Sequence, residues 1–265
     1  MTNIRSFLSA AGVAAVAALG MSTAALADDD ANKFGYSISI TGASDYVFRG
    51  LTFNSNDPAF QPFIEFTYGN PNLTWYLDFW GSNIADPLGP FELDMYAGVR
   101  PVVGPLAFDF GILYYTYPDN SISPLNPLSL GRNDNGDYIE LKAAGTYTTP
   151  IPNLSTGVTF YYTPDQGNNY GETWTVEGNA AYTLPNFYMF TPTISGVVGY
   201  TEGESGFSPC ACGADNYTYW NAGLKLAVDK YFMDFRYWDT NISDANGGPV
   251  VDSNHFIFTA GVNLP

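Results

Sequence analysis

The chain has 265 residues and carries 26 acidic against 9 basic side chains, which gives a formal net charge of −17 at pH 7. A chain this acidic is repelled by nucleic acid and by anionic lipid headgroups, so its charge argues against both as partners. Aromatic residues make up 17% of the sequence and charged residues only 13%. This composition is typical of β-sheet proteins rather than of soluble helical proteins, whose surfaces are rich in Lys and Glu.

Residues 1–27 have the features of a secretory signal peptide. Arg5 precedes an apolar run of small residues at 7–20, and Ala25-Leu26-Ala27 fits the small-x-small rule for signal cleavage. The apolar run is short for a helix that spans a bilayer, which argues against the alternative of a retained anchor helix. We therefore predict a signal peptide over 1–27 and a single domain over 28–265.

After the signal peptide, apolar and polar residues alternate with a period of two, as they do in β-strands that have two different faces. In the clearest example, Leu93 and Met95 occupy one face and Glu92 and Asp94 the other. No long segment keeps the period of 3.6 that a helix requires. The pattern predicts twelve strands, near residues 36–50, 59–68, 73–83, 91–100, 106–117, 137–148, 154–163, 172–184, 191–201, 217–228, 231–239 and 254–263.

The connections between these strands alternate between short and long. GNPN, VVGP, TPIPN and DK are tight, and longer segments rich in Pro, Gly, Asn and Asp stand between them. Short periplasmic turns on one side and long external loops on the other are typical of outer-membrane barrels. The sequence therefore predicts an all-β fold, a single antiparallel transmembrane β-barrel of twelve strands. A secreted β-sandwich, whose strands alternate in the same way, is the alternative.

The stretch SDYVFRGLTFN at 44–54 carries two opposite charges among aromatic residues. As part of the first strand, it places Tyr46 and Phe48 towards lipid and Asp45 and Arg49 towards the barrel interior, because a charge facing lipid near the mid-plane costs about 2 to 4 kcal/mol. The same rule places the other in-strand charges inside. The predicted pore-lining residues are nine acids and five bases: Asp45, Arg49, Glu65, Asp78, Glu92, Asp94, Arg100, Asp109, Glu140, Lys142, Glu177, Lys225, Asp234 and Arg236.

Aromatic residues near strand ends predict an interfacial girdle or rim of rings. Its expected members are Tyr114, Tyr115, Tyr117, Tyr161, Tyr162, Tyr237 and Trp238.

In this order along the chain, SDYVFRGLTFN, WGSN, ELDMYAGV, YYTYPD, YTLP and YWDTN resemble the recurrent segments of the TorF-type porin family of Gram-negative bacteria. The resemblance covers nearly all of 28–265, and SDYVFRG is its most specific part. It implies a β-barrel in the outer membrane of a Gram-negative bacterium, and it supplies no binding residues for any substrate.

These observations together predict a passive diffusion pore for small solutes or ions. Its interior carries charges of both signs with an acidic excess, which favours cations weakly. Outer-membrane lipid, the diffusing solutes and the barrel assembly machinery are the expected partners, and we predict no enzyme activity, cofactor or metal site.

Two alternatives to a pore stay open. The interior charges can instead form a salt-bridge network that fills a non-conducting structural or adhesive barrel. A membrane-embedded hydrolase built around His255, the only histidine, is less favoured because the chain has no G-x-S-x-G motif and His255 is expected to face solvent or the rim.

Two of the long connections carry further predictions. Cys210 and Cys212 are separated by one residue in one of them, where export to an oxidising compartment favours a local disulfide, with disulfide links to another chain as the alternative. The longest connection, residues 119–136, is expected to fold inward and narrow the pore, as loops do in some barrels.

Overall fold

The computed structural model describes residues 31–85, 89–118, 136–165, 171–203, 215–242 and 254–264. These residues form fourteen β-strands: β1 (Lys33–Ala43), β2 (Val47–Phe48), β3 (Leu51–Thr52), β4 (Ala59–Asn70), β5 (Leu73–Asn83), β6 (Phe91–Val103), β7 (Leu106–Thr116), β8 (Tyr138–Thr148), β9 (Leu154–Thr163), β10 (Thr173–Thr183), β11 (Thr191–Gly203), β12 (Asn216–Val228), β13 (Tyr231–Thr240) and β14 (Asn254–Leu264). Within these described ranges, no helix is long and apolar enough to cross a membrane.

Twelve of the strands form a closed antiparallel barrel, and β2 and β3 pair only with each other. β1 closes the barrel because it pairs with β4 along its whole length and with β14 over residues 38–43. The connections alternate in length around the barrel, so that one of its ends carries the short turns and the other the long connections. The predicted antiparallel barrel of twelve strands is therefore confirmed.

Eleven of the predicted strands coincide with observed strands to within three residues. The first strand is the exception, because it ends at Ala43 and not at residue 50. The backbone N–H of Ser44 still donates to the carbonyl of Phe258 in β14, at 2.8 Å. The chain then leaves the wall and rejoins it at Ala59, the first residue of β4.

The outer face of the barrel is apolar along the middle of its strands. Exposed rings and branched side chains follow one another around it, with fractional exposures such as 58% for Phe60, 57% for Trp75 and 54% for Ile112. The charged residues of the barrel strands point inward with two exceptions, Glu202 and Asp239, and both lie one residue from the end of their strand at the long-connection end. An uncharged apolar belt therefore surrounds the barrel.

Candidate functional site

Residues 44–58, which we call the inner hairpin, enter the barrel: residues 45–54 are buried or half-buried inside it, and residue 44 and residues 55–58 are exposed. β2 and β3 form its two short strands, with Phe48 opposite Leu51. Arg49 and Gly50 connect them with φ angles of 50° and 82°, and a type I′ turn requires positive φ at both of these positions. A positive φ costs a residue that has a side chain about 1 to 2 kcal/mol. Contacts elsewhere must therefore hold Arg49 in place.

Contacts with opposite walls place the hairpin across the barrel interior. The Tyr46 ring packs on Trp80 of β5, with centroids 5.2 Å apart. Gly50 lies against Tyr219 of β12 and Thr240 of β13, where an added Cβ atom would collide with both side chains. Gly50 thus meets two requirements, a positive φ and a close approach to the wall.

The hairpin buries side chains on both of its faces. Tyr46 and Phe48 are 1% and 6% exposed, and Asp45 and Arg49 are 2% and 7% exposed. The prediction that Tyr46 and Phe48 face lipid is therefore wrong. Alternation in this segment does not separate lipid from the interior, because protein surrounds the segment on all sides.

Arg49 clamps the tip of the hairpin to β8. Its Nη2 atom donates to both carboxylate oxygens of Glu140, at 2.8 and 3.0 Å. Tyr115 and Thr163 donate to the same carboxylate at 3.1 Å each, so Glu140 is fully engaged. The Arg49 guanidinium also lies 4.7 Å from the ring centroids of Phe48 and Tyr161. These charge-assisted contacts outweigh the backbone strain of the turn.

A second set of contacts holds the base of the hairpin near β14. His255 Nδ1 lies 3.2 Å from Asn56 Oδ1 and 4.0 Å from Asp45 Oδ2, and the backbone N–H of Tyr46 donates to Asp45 Oδ1 at 2.7 Å. Burial raises the pKa of Asp45 above its ordinary value, an effect that the nearby hydrogen bonds and His255 only partly offset. His255 was expected to face solvent or the rim. It is instead 3% exposed and lies beneath the hairpin.

Three acids beside the hairpin have tyrosine hydroxyls rather than bases as partners. Tyr46 donates to Glu92 at 3.4 Å, Tyr96 to Asp94 at 2.6 Å and Tyr219 to Glu177 at 2.5 Å. These carboxyl groups are nearly fully buried. Among the residues that the structure describes, none of the three forms an ion pair.

A denser charge network lies on β4 to β8, nearer the short-turn end. Arg100 is 2.5 Å from Glu65, 3.6 Å from Asp109 and 3.7 Å from Asp78, and Lys142 Nζ is 2.8 Å from Asp109. The Arg100 and Glu65 side chains are 22% and 14% exposed. Water therefore reaches this network more freely than it reaches the groups around the hairpin.

The opposite wall carries the remaining predicted charges. Arg236 donates to Asp234 at 3.1 Å and to Asn221 at 2.6 Å, and Lys225 Nζ lies 4.7 Å above the ring of Phe232. The fourteen predicted pore-lining residues thus all point into the barrel interior, twelve from the wall and two from the hairpin. Their role in lining an open path stays a prediction.

The inner hairpin was not predicted from the sequence, and several aromatic residues lie on a different face from the one expected. Tyr115, Tyr117, Tyr161 and Trp238 were expected in an interfacial girdle or at the rim, and all four are buried inside the barrel. Parity was the available signal for three of them, because Tyr115 and Tyr117 share a face with Asp109, and Trp238 shares one with Asp234 and Arg236. The strand of Tyr161 has no charged residue and gave no such signal. Three predictions lie outside the described residues: the signal peptide over 1–27, the disulfide between Cys210 and Cys212, and the inward folding of nearly the whole 119–136 connection.

Comparisons with known proteins bear on the family and on the fold. Residues 27–256 match the model of a family described as a bacterial protein of unknown function. No curated protein matches the chain.

Solved structures with this architecture are similar in shape and distant in sequence. The NanC porin aligns with a TM-score of 0.56 at 11% identity, covering 86% of this chain and 99% of that one. LpxR from Salmonella typhimurium aligns at 0.48 and 9% identity over 86% and 99% of the two chains. The translocator domain of the autotransporter NalP from Neisseria meningitidis aligns at 0.46 and 12% identity over 87% and 88%. The similarity to NanC agrees with the closed barrel described above.

Proposed function

The chain belongs to the Gcw_chp family of bacterial proteins, and we propose that it is an outer-membrane barrel through which small solutes or ions diffuse passively. The proposal includes export by a signal peptide over 1–27 and insertion by the barrel assembly machinery of a Gram-negative bacterium. It involves no chemical step. The resemblance to the TorF-type porins and the fold shared with the NanC porin support it.

The uncharged outer belt is the observation that carries the membrane assignment. The barrel strands have 10 to 13 residues, which at about 3.3 Å per residue and a tilt near 45° gives a height of about 23 to 30 Å, close to the apolar band of outer-membrane barrels. A soluble barrel or sandwich has no reason to keep every mid-strand charge on its enclosed face. Bulk water would solvate such charges on the outer face.

The interior supports a narrow path with a preference for cations. The bases on the walls are close to acids, and the charged residues that point into the interior comprise nine acids and five bases. An excess of acid around a narrow passage attracts cations and repels anions. The inner hairpin forms the constriction, because it crosses the interior near the long-connection end.

The same hairpin favours a second candidate, a barrel that does not conduct in its resting state. The hairpin side chains of residues 45–52, such as Tyr46, Phe48 and Arg49, are almost fully buried, so this part of the interior is filled with protein. In this alternative, the interior charges are structural and the long connections carry the function.

Conductance in planar bilayers distinguishes the two candidates. The refolded chain 28–265 is compared with a variant in which residues 45–57 are replaced by a Gly-Ser linker. A linker of about four residues suffices, since Ala43 and Ala59 are paired neighbours in the wall. The variant also carries Glu140→Gln, so that removing Arg49 leaves no buried unpaired carboxylate.

We expect small, cation-preferring steps from the wild type and steps several times larger from the linker variant. Glu65→Gln should weaken the cation preference, whereas Glu202→Gln, the same change on the outer face, should leave it unchanged. Steps from the linker variant alone would favour the non-conducting candidate. If the wild type and the linker variant both fold and neither gives conductance steps, the proposal that this barrel is a pore is refuted.

A further inference from the structure

A row of inward polar side chains lies on the wall beside Tyr46 of the inner hairpin. Ser82 of β5 is directly opposite Glu92 of β6. The register that pairs Phe63 with Trp80 places Gln61 of β4 opposite Ser82. Gln61, Ser82 and Glu92 therefore occupy one row across three neighbouring strands.

Several atoms of this row and its neighbour Asp94 have no hydrogen-bond partner. These atoms are Nε2 and Oε1 of Gln61, Oε2 of Glu92 and Oδ1 of Asp94. Gln61 is 2% exposed, and Glu92 and Asp94 are 1% exposed each. The amide of Gln61 is an observation independent of the acids, since a neutral side chain seldom stays unsatisfied when it is fully buried.

The two acids cannot both be ionised at this place without a counter-charge. Glu92 and Asp94 are two residues apart on the same face of β6. Their described partners are all neutral: the hydroxyls of Tyr46, Tyr96 and Tyr117 and the backbone N–H of Thr116. Burying one unpaired carboxylate costs several kcal/mol, and a second beside it adds repulsion. Something positive must balance them.

The row and its neighbours offer several oxygen atoms: two carboxylates, the amide oxygen of Gln61 and the hydroxyls of Tyr46 and Tyr96. Carboxylate, amide and hydroxyl oxygens suit hard divalent cations, and calcium accepts such irregular sets more readily than magnesium does. We propose that Glu92, Asp94 and Gln61 bind a hard divalent cation such as Ca²⁺ between the barrel wall and the inner hairpin. The cation would steady Tyr46, and with it the position of the hairpin.

Terbium luminescence tests the site directly, because Tb³⁺ takes calcium sites and is excited by nearby aromatic rings. Trp80 is opposite Asp94 in the register of β5 and β6, and Tyr46 packs on Trp80. The refolded chain 28–265 in detergent should sensitise Tb³⁺ emission, and Ca²⁺ should compete it away. Glu92→Gln and Asp94→Asn should each lower the sensitised emission at least tenfold.

Glu65→Gln and Asp234→Asn are the matched controls, since each removes one interior carboxylate away from the row, and both should keep the emission. Emission that survives in Glu92→Gln and Asp94→Asn would overturn the proposal. A heat-modifiability assay gives a second readout: Ca²⁺ should raise the unfolding temperature of the wild type relative to EGTA and should not raise that of Asp94→Asn. If Ca²⁺ has no effect and only acidification stabilises the wild type, the pair shares a proton and the proposal fails. Neither readout depends on conductance, so a failed cation site leaves the pore proposal untouched.

Discussion

Replacing Arg49 by Ala is expected to release the inner hairpin and to leave the barrel wall intact. Arg49 and Glu140 are 7% and 1% exposed, so water screens their ion pair very little. Removing the guanidinium takes away two charge-assisted hydrogen bonds and two ring contacts. It also leaves Glu140 buried with only neutral partners, while Ala at position 49 keeps the strain of a positive φ.

The size of the effect follows from these contacts. Breaking a buried ion pair by deleting one partner costs about 3 to 5 kcal/mol. Because about 1.4 kcal/mol corresponds to a factor of ten, the equilibrium between the docked and the released hairpin should shift by roughly 100- to 4,000-fold. Arg49→Ala combined with Glu140→Gln should recover part of this loss, since the uncompensated carboxylate is then gone.

Hydrogen exchange measured by mass spectrometry reports on the hairpin itself. In the folded chain, the backbone N–H of Phe53 donates to the carbonyl of Tyr46, and the N–H of Ala85 donates to the carbonyl of Phe53. Peptides covering 44–58 should lose protection in Arg49→Ala, while peptides of β9 to β13 should not. Arg236→Ala is the matched control, because it removes another interior arginine that does not touch the hairpin. If the Arg49→Ala barrel folds and its exchange protection at 44–58 is unchanged, the Arg49–Glu140 contact does not hold the hairpin in place.

Two more predictions concern pH and the membrane. Burial raises the pKa of Asp45 above its ordinary value of 3.8. Protonated Asp45 therefore stabilises the docked hairpin fully below pH 3.8, and this stabilisation is lost as the pH rises through the raised pKa. The open fraction in bilayers should be lower at pH 4 than at pH 7, and Asp45→Asn should weaken this difference. On the outer face, Leu77→Arg at mid-strand should destabilise the barrel in lipid vesicles by about 2 to 4 kcal/mol, and Val103→Arg at a strand end by about 1 kcal/mol or less. Equal small effects at the two sites, measured by denaturant unfolding, would indicate a soluble fold instead.

The barrel was predictable because its signals are local and repeated. Each wall strand has one face towards the outside and one towards the interior, so a period of two appears in every strand, as in the alternation of Leu93 and Met95 with Glu92 and Asp94. The connection lengths then fix the antiparallel order. Neither signal depends on which residues meet across the interior.

The inner hairpin was not predictable by the same reasoning. Its sequence alternates like that of a wall strand, and β1 runs into it without an intervening Pro or Gly-rich break. The turn at Arg49 and Gly50 was the one local sign of a reversal, and it was weak because Arg is unusual at a positive φ. Its conformation depends on Glu140, Tyr161 and Tyr219, which are distant in the sequence.

The wall and the hairpin depend on one another for partners. Glu140 needs Arg49, Glu92 is in contact with the hydroxyl of Tyr46, and His255 has its closest polar neighbour in Asn56. These wall groups are buried. If the whole hairpin left the barrel, they would lose their partners unless water entered the space that the hairpin vacates. Full ejection of the hairpin is therefore costly in free energy. A partial displacement, in which the Arg49–Glu140 contact breaks at the tip while the base stays near β14, costs less. A conducting state of this barrel should accordingly keep residues 54–58 in place and should differ from the closed state at the tip.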